Sequence, residues 1–309
     1  MIDVEHLVFE YPGIYALNDV SLSIRRGDVT ALVGPNGAGK TTLMRCLAAL
    51  DQPISGAIRI AGVDVLAHPR ETHRKVGYVP DFFGLFPELT VWQSLHYYAR
   101  AHGVTGDGVE PAIRKAAGRL QLLDRMEQKT RTLSRGLSQR VAVAQAIVHE
   151  PEVLLLDEPA SGLDPEARKH LADLFLELQA NGMTLIVSSH ILAELEAYAT
   201  SMVIMREGRV VEHTRLGQRP EALVTLSLTL SREAVDLLET LRAQAGVQHV
   251  KGSTMSAAFQ YSADKGAQAA LLRDLIDHGL SVCSFGEEKT NLQDAYLQSM
   301  RSLGEDAPA

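Results

Sequence analysis

Hydrophobic positions along the chain follow two periods. Val20, Leu22 and Ile24 alternate with Ser21 and Ser23, the pattern of a half-buried strand, and the N-terminal stretch around them reads as antiparallel strands. Arg26-Gly27-Asp28 is a turn. Val29 to Val33 is a short apolar, β-prone run that predicts a buried strand. Beyond it, Leu43, Met44, Leu47 and Leu50 stand at helical spacing. Ile58-Arg59-Ile60 and Val76 to Val79 are further strand candidates, the second ended by Pro80. From Val91 to about Gln145 the period becomes helical, with helices expected over Val91–His102 and Ile113–Leu123 and a loop over Gly103–Gly108.

Two continuous apolar runs follow, Val153 to Leu156 and Thr184 to Val187, as expected of central parallel strands. Asp164-Pro165-Glu166 opens a helix between them, with Pro165 suited to its first position, and Asn181-Gly182 closes it. Ser189-His190 leads into another helix, and Met202–Met205 with Gly208–Val211 reads as a closing hairpin.

After about Leu216 the organisation changes. Strands over 223–230, 247–250, 255–261 and 280–285 and helices over 233–243 and 265–278 run in the order β-α-β-β-α-β, the split βαβ arrangement. A terminal helix is expected over Asn291–Leu303, with a disordered tail. At 309 residues the chain is long for one core. It divides on this reading into residues 1–216, with a helical segment at about 82–145, and residues 217–309.

Composition narrows the classes. The formal charge of −8 argues against nucleic acid as the main partner, because a phosphate backbone selects a basic surface. No apolar run approaches the roughly 18 residues of a spanning helix. Met1 to Glu5 has no basic stretch followed by an apolar one, so no secretory signal is expected. Cys46 and Cys283 fall in separate domains without metal-ligand spacing, which fits a reduced, cytoplasmic setting.

The chemistry is concentrated at Gly34-Pro35-Asn36-Gly37-Ala38-Gly39-Lys40-Thr41, a complete phosphate-binding loop between the strand ending at Val33 and a helix beginning near Thr42. Glycines let successive N–H groups turn toward anionic oxygens, and the helix N-terminus adds its positive end. Lys40 can reach the β- and γ-phosphates of a nucleoside triphosphate, and the Thr41 hydroxyl can ligate Mg²⁺. Gly34 through Thr42 is therefore the expected nucleotide-binding set. Asp157, ending an apolar strand, suits a Mg²⁺-holding acid, and adjacent Glu158 suits a general base toward water. Strand-terminal acids also simply cap following helices.

Five motifs then occur in order: the loop at 34–41, Leu133-Ser134-Arg135-Gly136, Leu154-Leu155-Leu156-Asp157-Glu158-Pro159, Ser161-Gly162-Leu163-Asp164 and Ser189-His190. In this order they resemble the ATP-binding-cassette ATPases, over roughly residues 2–215. The resemblance implies an α/β P-loop NTPase cassette fold: a parallel core sheet, an N-terminal antiparallel sheet and a helical subdomain, here followed by a small α+β domain. It implies that Tyr11 stacks on adenine, with Phe9 and Tyr15 as nearby competitors. Ser134 and Gly136 would contact the γ-phosphate of ATP held by an opposite subunit, Asp164 would couple the two sites, and His190 would hydrogen-bond the γ-phosphate.

Two positions depart from the family pattern. Its signature is usually Leu-Ser-Gly-Gly-Gln, whereas Arg135 and Leu137 stand here at the third and fifth places. Arg135 points either to the nucleotide or to solvent. Asp81 stands where the family usually has a Gln near Mg²⁺ and the attacking water. Asp81 can ligate Mg²⁺, but repels the γ-phosphate where no metal intervenes. The apolar run Phe82-Phe83-Gly84-Leu85-Phe86 is either core or a docking patch for a membrane subunit.

The expectation is ATP hydrolysis, with ATP and Mg²⁺, by a homodimer or a heterodimer with a second cassette subunit. It would drive transport, in the export direction, through separate multi-span membrane subunits, with the chain on the cytoplasmic face of the membrane. The fused C-terminal domain would regulate or dimerise. Competing classes are a cassette ATPase acting on ribosomes or DNA and a weakly hydrolysing regulatory module.

Overall fold

The computed structural model describes residues 1–82, 84–189, 195–216 and 223–287. The chain divides into two compact units, one over Met1–Arg215 and one over Leu216–Asn291. The His190 helix and the expected helix at 291–303 lie outside the described residues.

The first unit opens with strands β1 (Ile2–Tyr11) and β2 (Ile14–Ile24), paired antiparallel. The alternation at 20–24 is realised: Val20, Leu22 and Ile24 are buried and the serines between them are exposed. Strand β3 (Val29–Val33) feeds the phosphate loop, and helix α1 (Lys40–Leu47) leaves it. Strands β4 (Ser55–Ile60) and β5 (Val63–Asp64) complete a four-stranded antiparallel sheet in the order β2-β1-β4-β5.

Helix α2 (Pro69–Lys75) precedes strand β6 (Val76–Val79). The helical region then comprises α3 (Val91–Ala101), α4 (Val109–Arg119) and α5 (Arg135–Ile147). Thr90 starts α3 with a full capping box: its side chain accepts from the Gln93 N–H and Gln93 reaches back to Thr90 N–H. Helix α4 begins and ends earlier than the 113–123 expected from periodicity. The chain turns out of the helix at Gln121, φ 55°, and buried Leu122 continues the apolar count outside it.

Strand β7 (Val153–Leu156), helix α6 (Pro165–Ala180) and strands β8 (Thr184–Ser188), β9 (Ser201–Arg206) and β10 (Arg209–Arg215) finish the unit. The second sheet has the order β10-β9-β3-β8-β7-β6, parallel throughout except for the antiparallel β9–β10 hairpin. Strands β3, β7 and β8 are buried along their whole length, as their apolar runs require. One core joins the two sheets across α1, with Ile2, Leu17, Ile58, Leu43 and Leu155 all within it.

The second unit contains β11 (Leu223–Leu230), α7 (Leu237–Ala243), β12 (Gln248–Gly252), β13 (Ser256–Ser262), α8 (Lys265–Asp277) and β14 (Val282–Glu287). Its antiparallel sheet runs β12-β13-β11-β14, so β13 splits the parallel pair β11 and β12. Leu226, Leu228, Phe259, Leu241 and Leu275 form its own core. Helix α7 starts four residues after Glu233, where the sequence places it, because Val235 is 90% exposed and anchors nothing. Cys46 and Cys283 are free thiols, one in each unit. No helix among the described residues is long and apolar enough to cross a membrane.

A histidine pair sits beside the end of α5. The His149 ring stacks on His102 at 4.0 Å, both His149 nitrogens are buried, and His102 Nδ1 donates to the His73 carbonyl at 2.7 Å. Burial, then repulsion from His102, pushes His149 down to about 3, with a smaller opposing contribution from the Val76 backbone. His102 is lowered as well, mainly by burial. A depressed folded-state value means stability is complete above the unfolded value near 6.5 and is lost as pH falls toward 3. Acidification from pH 7 to 5 is expected to cost on the order of 2 kcal/mol from His149. Chemical denaturation of the full chain at both pH values checks this, and H149F should shrink the difference, leaving the part that His102 contributes.

Candidate functional site

The phosphate loop is a strand-to-helix turn whose backbone conformation only small residues adopt. Gly37 and Gly39 have φ of 80° and 101°. A Cβ at Gly39 would meet the Ala16 carbonyl oxygen at 2.5 Å, so the loop lies directly against β2. Lys40 follows as the first residue of α1, and it is 7% exposed. Its ammonium donates to the carbonyls of Gly34 at 2.7 Å and Pro35 at 3.2 Å. A cation is thus held inside the loop with hydrogen-bonding capacity left for an anion.

Asp157 directly follows β7 and is 1% exposed. One carboxylate oxygen accepts from the Thr41 hydroxyl at 2.7 Å and the other from the Ser188 hydroxyl at 2.6 Å. Ser188 in turn accepts from the Glu158 backbone N–H at 2.8 Å. Glu158 has φ 49°, uncommon for a residue with a side chain, and its carbonyl accepts from Ser161 N–H at 3.1 Å. Ser188 therefore fixes both acids. In the sequence Ser188 carries no signal of this role, because a lone hydroxyl closing an apolar run reads as a strand end.

These groups meet in one cleft of about 340 Å³. Asn36 to Thr42 line it together with Tyr11, Tyr15, Asp81, Asp157 and Glu158. Tyr11 is 44% exposed and its ring meets Phe9 edge-on at 4.9 Å. Phe9 itself packs against the core and does not line the cleft. Among the described residues no group of three or more His, Cys, Asp or Glu could hold a metal alone.

Ser134, Gly136 and Asp164 do not line the cleft. Ser134 is the N-cap of α5, its hydroxyl accepting from Leu137 N–H at 3.4 Å, and Gly136 lies in the first turn. Asp164 caps α6 through the Ala167 N–H at 2.9 Å. Arg135 does not line the cleft; it lies exposed on the surface, where its guanidinium donates to the Ser161 carbonyl at 2.9 Å. His190 lies outside the described residues. Of the apolar run after Asp81, Phe82 is 91% exposed, and Phe86, 50% exposed, stacks edge-on with Tyr97 at 5.8 Å. Both are surface rather than core, while Phe83 lies outside the described residues.

The loop, its buried lysine and the strand-terminal acid define a P-loop nucleotide-binding protein. The comparisons narrow the class. A family model described as ABC transporter matches residues 17–161. The Nod factor export ATP-binding protein I of Ralstonia nicotianae is 30% identical over 309 residues, covering 96% of this chain and 93% of that protein. A solved ATP-binding subunit of an ABC transporter superposes with a TM-score of 0.65 at 33% identity, over 70% of this chain and 90% of that one. A bacterial ABC transporter cassette solved as a dimer gives 0.65 at 25% identity, over 71% and 100%. The chain belongs to the ATP-binding subunits of ABC transporters. It is an ABC-type ATPase that binds ATP and serves transport.

Proposed function

We propose that two copies of this chain, or this chain and a second cassette subunit, close face to face on ATP and Mg²⁺ to drive export through separate multi-span membrane subunits. The observation that carries the reading is the division of the anion-binding groups. The phosphate loop, Lys40 and Glu158 share one cleft, whereas Ser134 and Gly136, at the anion-favouring N-terminus of α5, do not line it. A second chain's Ser134 and Gly136 would complete the site.

Within that site Lys40 holds the β- and γ-phosphates and Tyr11 stacks on adenine, with Tyr15 beside it. Glu158 takes a proton from the attacking water, and His190 donates a hydrogen bond to the γ-phosphate. Thr41 and Asp157 would hold Mg²⁺, a hard cation that keeps water and phosphate oxygens as its other ligands, and it would neutralise phosphate charge. Asp81 lines the same cleft, and we assign it to the metal in the closed dimer. Asp164 links one site to the other across the dimer.

The relative named for Nod factor export aligns over 96% of this chain, which supports export as the direction and an exporter-type role for the second unit. That unit would regulate turnover or stabilise the dimer. The exposed Phe82 and Phe86 suit docking on a membrane subunit, which would place the chain on the cytoplasmic face. Co-expression with a multi-span protein encoded beside this chain is the test. The chain should partition with membranes only when that protein is present, and sedimentation with ribosomes or nucleic acid instead would overturn the reading.

A further inference from the structure

Arg135 sits between the two residues assigned to the partner's γ-phosphate, yet its side chain is already engaged within its own chain. Its Nη2 donates to the Ser161 carbonyl at 2.9 Å. The guanidinium also lies flat over Gly162: a Cβ there would stand 2.5 Å from Cζ and 2.7 and 2.8 Å from the two terminal nitrogens. Gly162 has φ 69°, so the turn both requires a glycine and leaves the bare face on which the guanidinium rests. Ser161 N–H bonds back to the Glu158 carbonyl at 3.1 Å, and Leu163 N–H to Ala160 at 3.2 Å. The connection runs from the N-terminus of α5, through Arg135 and Ser161, to the turn that carries Glu158.

We infer that Arg135 is a positioning residue that ties the phosphate-contacting end of α5 to the Glu158 turn. The inference rests on the composite-site reading above. A hydrogen bond to a charged donor is roughly twice as strong as a neutral one, and a planar guanidinium loses little freedom in making it. The small residue usual at this place in the family has no reach to Ser161. In this chain, ordering α5 against a partner's nucleotide also orders the Glu158 turn of the same chain. Glu158 is already strained into positive φ, so a looser turn moves the carboxylate off its water, and small misplacements of catalytic groups are costly.

The test compares R135A, R135K and G162A in the full chain, with G162A displacing the guanidinium from the other side. R135A should lower kcat for ATP about tenfold, leave KM for ATP within twofold and leave the melting temperature unchanged. R135K, which keeps the charge but not the planar fork, should recover only part of the loss. G162A should lower kcat similarly, and the double variant should be no worse than the worse single one. Additive effects of the two substitutions would overturn the clamp, as would an R135A defect confined to KM, which would put the guanidinium on phosphate. ATP-driven pairing measured with Glu158→Gln in the Arg135-containing chain is a separate control. Its failure would remove the composite site itself, whereas a null result for R135A with pairing intact would remove only the clamp.

Discussion

Glu158→Gln is expected to cut steady-state ATP turnover by about 10²–10⁴-fold, the range for a lost general base, while ATP still binds. The substitution is close to isosteric, and the turn around it is held by backbone groups. The Glu158 N–H donates to Ser188 and its carbonyl accepts from Ser161, so neither anchor involves the carboxylate. Asp157 keeps both hydroxyl partners, Thr41 and Ser188. What is lost is the acceptor for the proton of the attacking water. Phosphate release measured under saturating ATP, beside equilibrium binding of a fluorescent ATP analogue, separates the two effects. A fall in binding as large as the fall in turnover would reassign Glu158 to the nucleotide.

Lys40→Met should do the opposite, weakening ATP itself by roughly 100-fold in Kd. The ammonium is held at the loop by the carbonyls of Gly34 and Pro35 and is 7% exposed, so its desolvation is largely complete before ATP arrives. A unit charge pair near 4 Å is worth about 4 kcal/mol at an effective dielectric near 20, and water competing in an open cleft reduces that. About 3 kcal/mol corresponds to roughly two decades in Kd. Methionine preserves the apolar stem, so the melting temperature without nucleotide should move little. Titration calorimetry with ATP and Mg²⁺ reads the affinity. An unchanged Kd would mean that the loop binds through its backbone N–H groups alone.

Much of the cassette was legible because its informative segments obey one period at a time. Val29–Val33, Val153–Leu156 and Thr184–Val187 are apolar runs bounded by turn residues, and all are buried strands. Helix α2 was not legible: Pro69 to Lys75 is polar throughout and buries only Thr72, so it leaves no hydrophobic stripe to count. Its signals were local, Pro69 at the first turn and basic residues at the last. Helix α4 was misplaced because Leu120 and Leu122 keep the apolar rhythm after the backbone has left the helix.

The site divides in the same way. A contiguous motif carries its own geometry, so Gly34 to Thr41 could be read directly. Ser188 and Arg135 act through residues distant in sequence, Asp157 in one case and Ser161 in the other. Their aims depend on which strands neighbour each other and how a loop folds over a helix end, and neither follows from composition or spacing.

On the composite-site reading, the cleft is half of a site. Light scattering of the Glu158→Gln chain with ATP and Mg²⁺ tests it most directly. A dimer should form with ATP, be absent with ADP, and be lost when Ser134→Arg blocks the N-terminus of α5. A Glu158→Gln chain that binds ATP yet stays monomeric would contradict it.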